Sequence, residues 1–209
     1  MWVVKLDGDL AHDSTLNLWL AQLGTLGGGR IIIVPGRWRG GDFIRDMKAR
    51  WGFDNVVAHN MLVLSRAQYG LMLTALSPQL TPVVNASAVR DVLARGGVAV
   101  WVPLSLMRER PDELTSVYMS SDCIAAWLAN HLKAERLVLV KSRPFFPSAG
   151  ISQQIRDGVL NPQFEEYAKQ IACPINLLHK SELSRFHDML LNGDTADLSA
   201  GYPRDLQLV

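Results

Sequence analysis

Three short segments of this 209-residue sequence set charged side chains beside glycine or serine at the edges of apolar runs. Lys5-Leu6-Asp7-Gly8-Asp9-Leu10 ends the first run, and Val34-Pro35-Gly36-Arg37-Trp38-Arg39-Gly40-Gly41-Asp42 ends the second. Ser120-Ser121-Asp122-Cys123 precedes a third. An ammonium ion, guanidinium ions and backbone without Cβ atoms are what a bound anion such as phosphate needs. Each group also has a plainer role. Lys5 is either a site lysine or a strand-end lysine with a solvated head. Asp7 and Asp9 are either a metal-binding pair or parts of an Asp-Gly turn. Asp122 suits the N-cap of the helix that follows, which does not exclude a site role. Arg37, Trp38 and Arg39 suit a partner-contact loop or a phosphate-binding loop. None of the three segments matches GxxxxGK[ST] or GxGxxG.

Such groups must be held by the ends of strands and the starts of helices. Strand and helix signals alternate along the chain. Residues 2–6, 31–34, 81–84, 98–102, 137–140 and 175–178 read as strands, and 31–34 is a β-branched run suited to burial on both faces. Residues 14–26 read as a helix with Leu16, Trp19, Leu20 and Leu23 on one face, capped from residues 12–14 and stopped by Gly27-Gly28-Gly29. Further helices are expected over 43–51, 55–76, 86–94, 122–132, 162–172 and 181–191, with loops over 36–42 and around Pro144 and Pro147. Strands separated by helices predict an α/β fold, three-layer α/β/α with a mainly parallel central sheet. Ligands of such sheets bind at the carboxyl ends of the strands, where the three segments lie. The stripe of Met61, Leu62, Leu64, Leu71, Met72 and Leu73 reads as core or as a helix packed on another subunit.

Composition narrows the function classes. Apolar residues make up 48% and charged residues 20%, enough for a sizeable core in a single domain over 1–209. Lys and Arg number 21 against 20 Asp and Glu, a net charge of +1 that argues against a general nucleic-acid or anionic-membrane binder. Cys123 and Cys173 are 50 residues apart and form neither CxxC nor a zinc pattern. The five histidines show no HExxH spacing. No apolar run approaches the length of a membrane span, and residues 1–5 do not read as a signal peptide. A cytoplasmic location is the expectation.

In order and spacing, the three segments resemble the amino acid kinase family. Its members open with a strand ending K-x-G-G-S, follow with P-G-G-G and a helix bearing an Arg, and later carry T-S-D-S at a helix start. Here the matching residues are Lys5-Leu6-Asp7-Gly8-Asp9, then Pro35-Gly36-Arg37-Trp38 with Arg45 beyond, then Ser120-Ser121-Asp122-Cys123. Residues 124–129, 137–142 and 161–164 look like the branch of aminomethyl-furan phosphate kinase, of methanofuran and tetrahydromethanopterin synthesis. The resemblance implies phosphoryl transfer from ATP with Mg²⁺ to a small molecule, by positioning and charge stabilisation. It implies Lys5 as the transition-state lysine and Asp122 as its organiser. Gly8, Gly36, Ser121, Lys141, Ser142 and, more loosely aligned, Lys169 would lie toward the nucleotide, and Arg37, Trp38 and Arg45 would form the substrate loop. It also implies a dimer or larger assembly through residues 55–76.

The departures from that pattern are specific. Asp7 and Asp9 stand for a glycine and a hydroxyl residue, and Arg37 and Trp38 stand for the second and third glycines of P-G-G-G. A carboxylate beside a polyphosphate is repulsive, about 4 kcal/mol for a unit pair at roughly 4 Å and an effective dielectric of about 20. An indole in place of a bare Cα predicts a cleft that is closed or remodelled. Two readings therefore stand: an ATP-dependent small-molecule kinase of one-carbon cofactor synthesis, and a non-catalytic paralogue serving as a binding or regulatory subunit, alone or with an active relative.

Overall fold

A computed structural model describes residues 1–38, 40–112, 115 and 119–192. Six strands form one sheet: β1 (Trp2–Leu6), β2 (Ile31–Pro35), β3 (Leu80–Val83), β4 (Val98–Trp101), β5 (Arg136–Lys141) and β6 (Ile175–His179). Their order is β3-β4-β2-β1-β5-β6, and every pairing is parallel. The helices are α1 (Thr15–Leu26), α2 (Gly40–Trp51), α3 (Asn55–Leu76), α4 (Ala86–Ala94), α5 (Ser121–His131), α6 (Ile151–Arg156), α7 (Phe164–Ala168) and α8 (Leu183–Asn192). The predicted α/β/α layering is the one found. The extent expected for the long helix, 55–76, is that of α3.

Alternation along the strands divides the sheet into two faces. Val3, Ile32, Ala99, Leu137 and Leu139 face a core completed by α4 and α5. Val4, Ile33, Val100, Val138 and Val140 face a core built with α1, α3 and α8. Trp19, fully buried there, lies 5.1 Å from the Phe186 ring and donates its indole N–H to the Lys180 carbonyl.

Several local expectations need correction. Residues 36–42 were expected to be loop, but helix begins at Gly40. The expected helix over 162–172 contracts to α7, and α6 lies between the loop expected around Pro144 and Pro147 and that helix, where no element was expected. Gln154 on α6 is fully buried and donates to the Phe146 and Ala149 carbonyls, so a polar residue pins the loop after β5. The α5 cap is Ser120, whose hydroxyl accepts from the Cys123 N–H, and not Asp122. Asp122 is thereby released to the first helical turn.

The loops after β1 and β2 pack directly on each other. A Cβ on Gly8 would run into the Arg37 carbonyl, and one on Gly36 would meet the Gly8 nitrogen and the Leu6 carbonyl. The glycines here allow backbone to touch backbone. Gly8→Ala is expected to cost about 1–3 kcal/mol in urea denaturation. Gly150→Ala, where a Cβ meets nothing within 4 Å, is expected to stay within about 0.5 kcal/mol of the parent.

Candidate functional site

Two lysines and two carboxylates meet at the carboxyl ends of the central strands. Register and pleat explain the lysines. Lys5 pairs with Leu139, so Lys5 and Lys141 share the sheet face of Val3, Leu137 and Leu139. Helix α5 covers that face and stays close to it through Ala125, Ala126 and Ala129, all buried. Its first turn delivers Asp122 between the two ammonium groups. Lys5 Nζ lies 3.0 Å from Asp122 Oδ1, and Lys141 Nζ lies 2.6 Å from Asp122 Oδ2.

Asp7 completes the cluster. Its Oδ1 accepts from Lys5 Nζ at 2.5 Å, and its Oδ2 accepts from the Ser142 N–H at 3.1 Å. Lys5, Lys141 and Asp122 are each at most 5% exposed and Asp7 is partly buried, and the four charges sum to zero. Burial opposes ionisation of Lys5, but the carboxylates of Asp122 and Asp7 outweigh it and hold the pKa above the usual lysine range. Burial also opposes the charge on Asp7 and Asp122, yet the ammonium groups hold both below the usual carboxylate range. At Lys141 burial prevails over Asp122, and its pKa falls.

The cluster forms one wall of a cavity of about 690 Å³. Lys5, Gly8, Arg37, Trp38, Arg45, Ser121 and Asp122 all line it. So do Asp7 and Asp9. Lys141 joins them through Asp122, and Ser142 through Asp7. Gly36 sits behind, in the loop-to-loop contact. Lys169 is not brought to the cavity: it is more than half exposed on the far end of α7 and lies 3.5 Å from Glu165. Arg39 lies outside the described residues.

Trp38 does not close the cavity. Its ring leans on Tyr69, 6.5 Å between centroids and 23° from parallel, and packs against the core beneath the sheet. The indole thus becomes wall rather than plug. Tyr69 in turn donates its hydroxyl to the Asp7 carbonyl, so α3 braces both loops.

Sequence reasoning missed the rest of the lining. Leu62 and Arg66 come from α3, Met119 precedes α5, and Ile155, Gly158, Val159, Leu160, Asn161 and Pro162 close the far side. Arg66 did leave a signal, a guanidinium one turn after Leu62 on an otherwise core-facing stripe. It is only 3% exposed.

Of the donors a polyphosphate would use, Lys5 lines the cavity while Lys141 and the Ser142 N–H lie behind Asp122 and Asp7, and Asp7 already engages Lys5 and Ser142. Mg²⁺ would relieve it, because the Asp7 and Asp9 carboxylates offer the oxygen ligands that cation prefers. No group of three or more His, Cys, Asp or Glu positioned for a metal ion occurs among the described residues.

Asp122→Asn leaves two buried ammonium groups with one carboxylate. It is expected to lose about 3–5 kcal/mol in chemical denaturation. The depressed pKa values of Asp7 and Asp122 fix the sign of the acid response. Their stabilisation is complete above the unfolded-state value of about 4 and is lost as pH falls through the lower folded-state values. The stability gap between the parent and Asp7→Asn is therefore expected to shrink steadily below about pH 4. A pH-independent gap would contradict an ionic role for Asp7.

No family model matches the sequence, and no curated protein does. Solved structures do match. Uridylate kinase from Archaeoglobus fulgidus aligns over 91% of this chain and 95% of its own, with TM-score 0.65 and 12% identity. UMP kinase from Ureaplasma parvum aligns over 92% and 95%, with TM-score 0.63 and 12% identity. UMP kinase from Bacillus anthracis aligns over 91% of each chain, with TM-score 0.62 and 18% identity. The chain has the fold of the UMP kinases, which belong to the amino acid kinase family.

Proposed function

We propose that this protein is a small-molecule phosphotransferase of the amino acid kinase type. One observation carries the proposal: Asp122 bridges Lys5 and Lys141 at the head of a cavity large enough for small molecules. Mg²⁺–ATP would supply the phosphoryl group. Lys5, held protonated, balances negative charge on the migrating group. Asp122 fixes the spacing of the two lysines, and Lys141 and the Ser142 N–H face the phosphate chain. The fold shared with uridylate kinases supports this reaction class. The resemblance of residues 124–129, 137–142 and 161–164 to aminomethyl-furan phosphate kinase supports one-carbon cofactor synthesis as the setting.

A second function has its own support. Asp7 satisfies Lys5 and Ser142 as a bound phosphate oxygen would. A chain that supplies its own anion there suits a non-catalytic subunit, binding a ligand or an active relative. The two are separated by Mg²⁺–ATP titration. A phosphotransferase gains melting temperature with millimolar Mg²⁺–ATP. Asp7→Asn strengthens that binding by about tenfold or more, because a carboxylate–phosphate repulsion is removed. Lys5→Ala abolishes turnover, and aminomethyl-furan phosphate, not UMP, stimulates it. Absence of nucleotide binding in both the parent and Asp7→Asn would leave the non-catalytic function.

Self-association is part of the proposal. Val57, Leu64 and Leu71 recur every seven residues on α3 and are 45%, 43% and 52% exposed. Phe43 and Trp51 are exposed on the neighbouring α2. An apolar face of this kind suits a second copy of the chain. Leu64→Glu with Leu71→Glu is expected to convert a dimer to a monomer in sedimentation analysis, with the melting profile otherwise cooperative.

A further inference from the structure

We infer that Trp38 is a platform on which the small molecule taken by this cavity lays a planar ring, so that the ligand class is aromatic or heteroaromatic rather than aliphatic. The inference rests on the phosphotransferase proposal only in naming that molecule the acceptor. Trp38 is the one aromatic side chain among the described residues that line the cavity, and it is half-buried. Tyr69 and the core beneath take one side of its ring. Its indole N–H is sealed from solvent and has no hydrogen-bond partner among the described residues. What the side chain turns to the cavity is therefore π carbon, with no polar atom in it.

The place of that surface is set before a ligand arrives. Gly8 brings its loop against the Trp38 backbone, since a Cβ there would lie 3.1 Å from the Trp38 nitrogen. Tyr69 backs the ring and is itself held, through its hydroxyl, to the Asp7 carbonyl at 3.1 Å. Arg37 is occupied elsewhere, with its stem against Gly41 and its head 3.8 Å from Asp42. A preset surface binds well because little motion is lost on contact. A buried N–H without a partner is a cost that Phe or Leu would not carry. A broad π face is what the indole adds.

The rest of the wall cannot make this distinction. Leu62, Met119, Ile155, Val159 and Leu160 face the same space and favour any hydrocarbon in proportion to its area. Stacking on Trp38 is different in kind, because it rewards a flat ring with a quadrupole and gives a saturated ring nothing beyond its area. A ring laid there also shares the cavity with Lys5 and Asp122, where its substituent would react.

The test compares two rings on one head group, phenyl phosphate and cyclohexyl phosphate, by calorimetric titration of the full chain. Area alone favours the larger cyclohexyl group. The parent is expected to favour phenyl phosphate by about threefold to tenfold. Trp38→Leu is expected to abolish that preference while leaving cyclohexyl phosphate within about twofold of its parent affinity. Trp38→Phe, which preserves a stack on Tyr69, is expected to keep part of the preference, and it carries the comparison if Trp38→Leu does not fold. In proton NMR the ring signals of phenyl phosphate should move upfield on binding to the parent and not to Trp38→Leu. Equal or tighter binding of cyclohexyl phosphate by the parent overturns the inference. So does a preference unchanged in folded Trp38→Leu, a bound ring with no upfield shift, or no binding of either phosphate. Mg²⁺–ATP is titrated in parallel. Nucleotide binding without the phenyl preference removes the Trp38 platform alone. A phenyl preference through Trp38 without nucleotide binding removes the phosphotransferase and leaves the ring site.

Discussion

Three buried charges and a fourth, partly buried one at the carboxyl ends of the central strands constrain everything around them. Lys5, Lys141 and Asp122 have almost no access to water, so each is tolerable only while the others are ionised and correctly placed. That condition reaches outward. It requires the β1–β5 register that puts both lysines on one face. It requires an alanine-rich α5 that can come close, and a helix start that offers a carboxylate in its first turn. Ser120 takes the capping duty and so leaves Asp122 free for the lysines. A cap exchanged for a charge bridge is a small local choice with a large electrostatic consequence.

The same cluster ties the glycine loops to the core. Asp7 leaves β1, turns back to Lys5 and reaches the Ser142 N–H beyond β5. Its own carbonyl is held by Tyr69 from α3, and Tyr69 carries Trp38. Gly8 and Arg37 then touch through backbone. Replacing a bare glycine position with Trp38 did not fill the cavity, because an aromatic partner lies beside it and draws the ring into the wall. The substitution that matters more is Asp7. It supplies from within the chain the negative charge that a bound phosphate would otherwise bring to Lys5, so any such anion would have to compete with it.

The parts of this arrangement that depend on local sequence were readable from it. Ile31-Ile32-Ile33-Val34 and Leu137-Val138-Leu139-Val140 could hardly be other than buried strands, and α3 carries its limits in Asp54, which caps it, and in the end of its apolar pattern. Helix α6 was hidden because six residues between Pro and Gly loops give too few turns for a periodic signal. The Ser-Ser-Asp run offered three residues of capping type, and only the tertiary pull of two lysines decides among them. Leu64 and Leu71 share a stripe with Leu62 and Leu73 in the sequence, yet the first pair is exposed and the second buried. Which side of α3 meets the sheet is a property of packing. Arg66 belongs to the same class, since its meaning depends on what does not lie opposite it.

Two kinds of cation therefore share one cavity, and they differ in what they can still attract. The lysine pair is balanced by Asp122 and Asp7, so a ligand oxygen gains there only by displacing or outcompeting a carboxylate. Arg66 has no such counterion among the described residues, and burial, with the charge of Arg37 after it, lowers its pKa. In the proposed site an anion would gain more beside Arg66 than at the already neutral strand ends. Lys5 and Asp122 line the same space. In the proposed phosphotransferase, binding by Arg66 on α3 would be separate from the charge cluster on β1 and α5. Separating the two lets the strength of binding vary without disturbing the buried charges on which the fold itself relies.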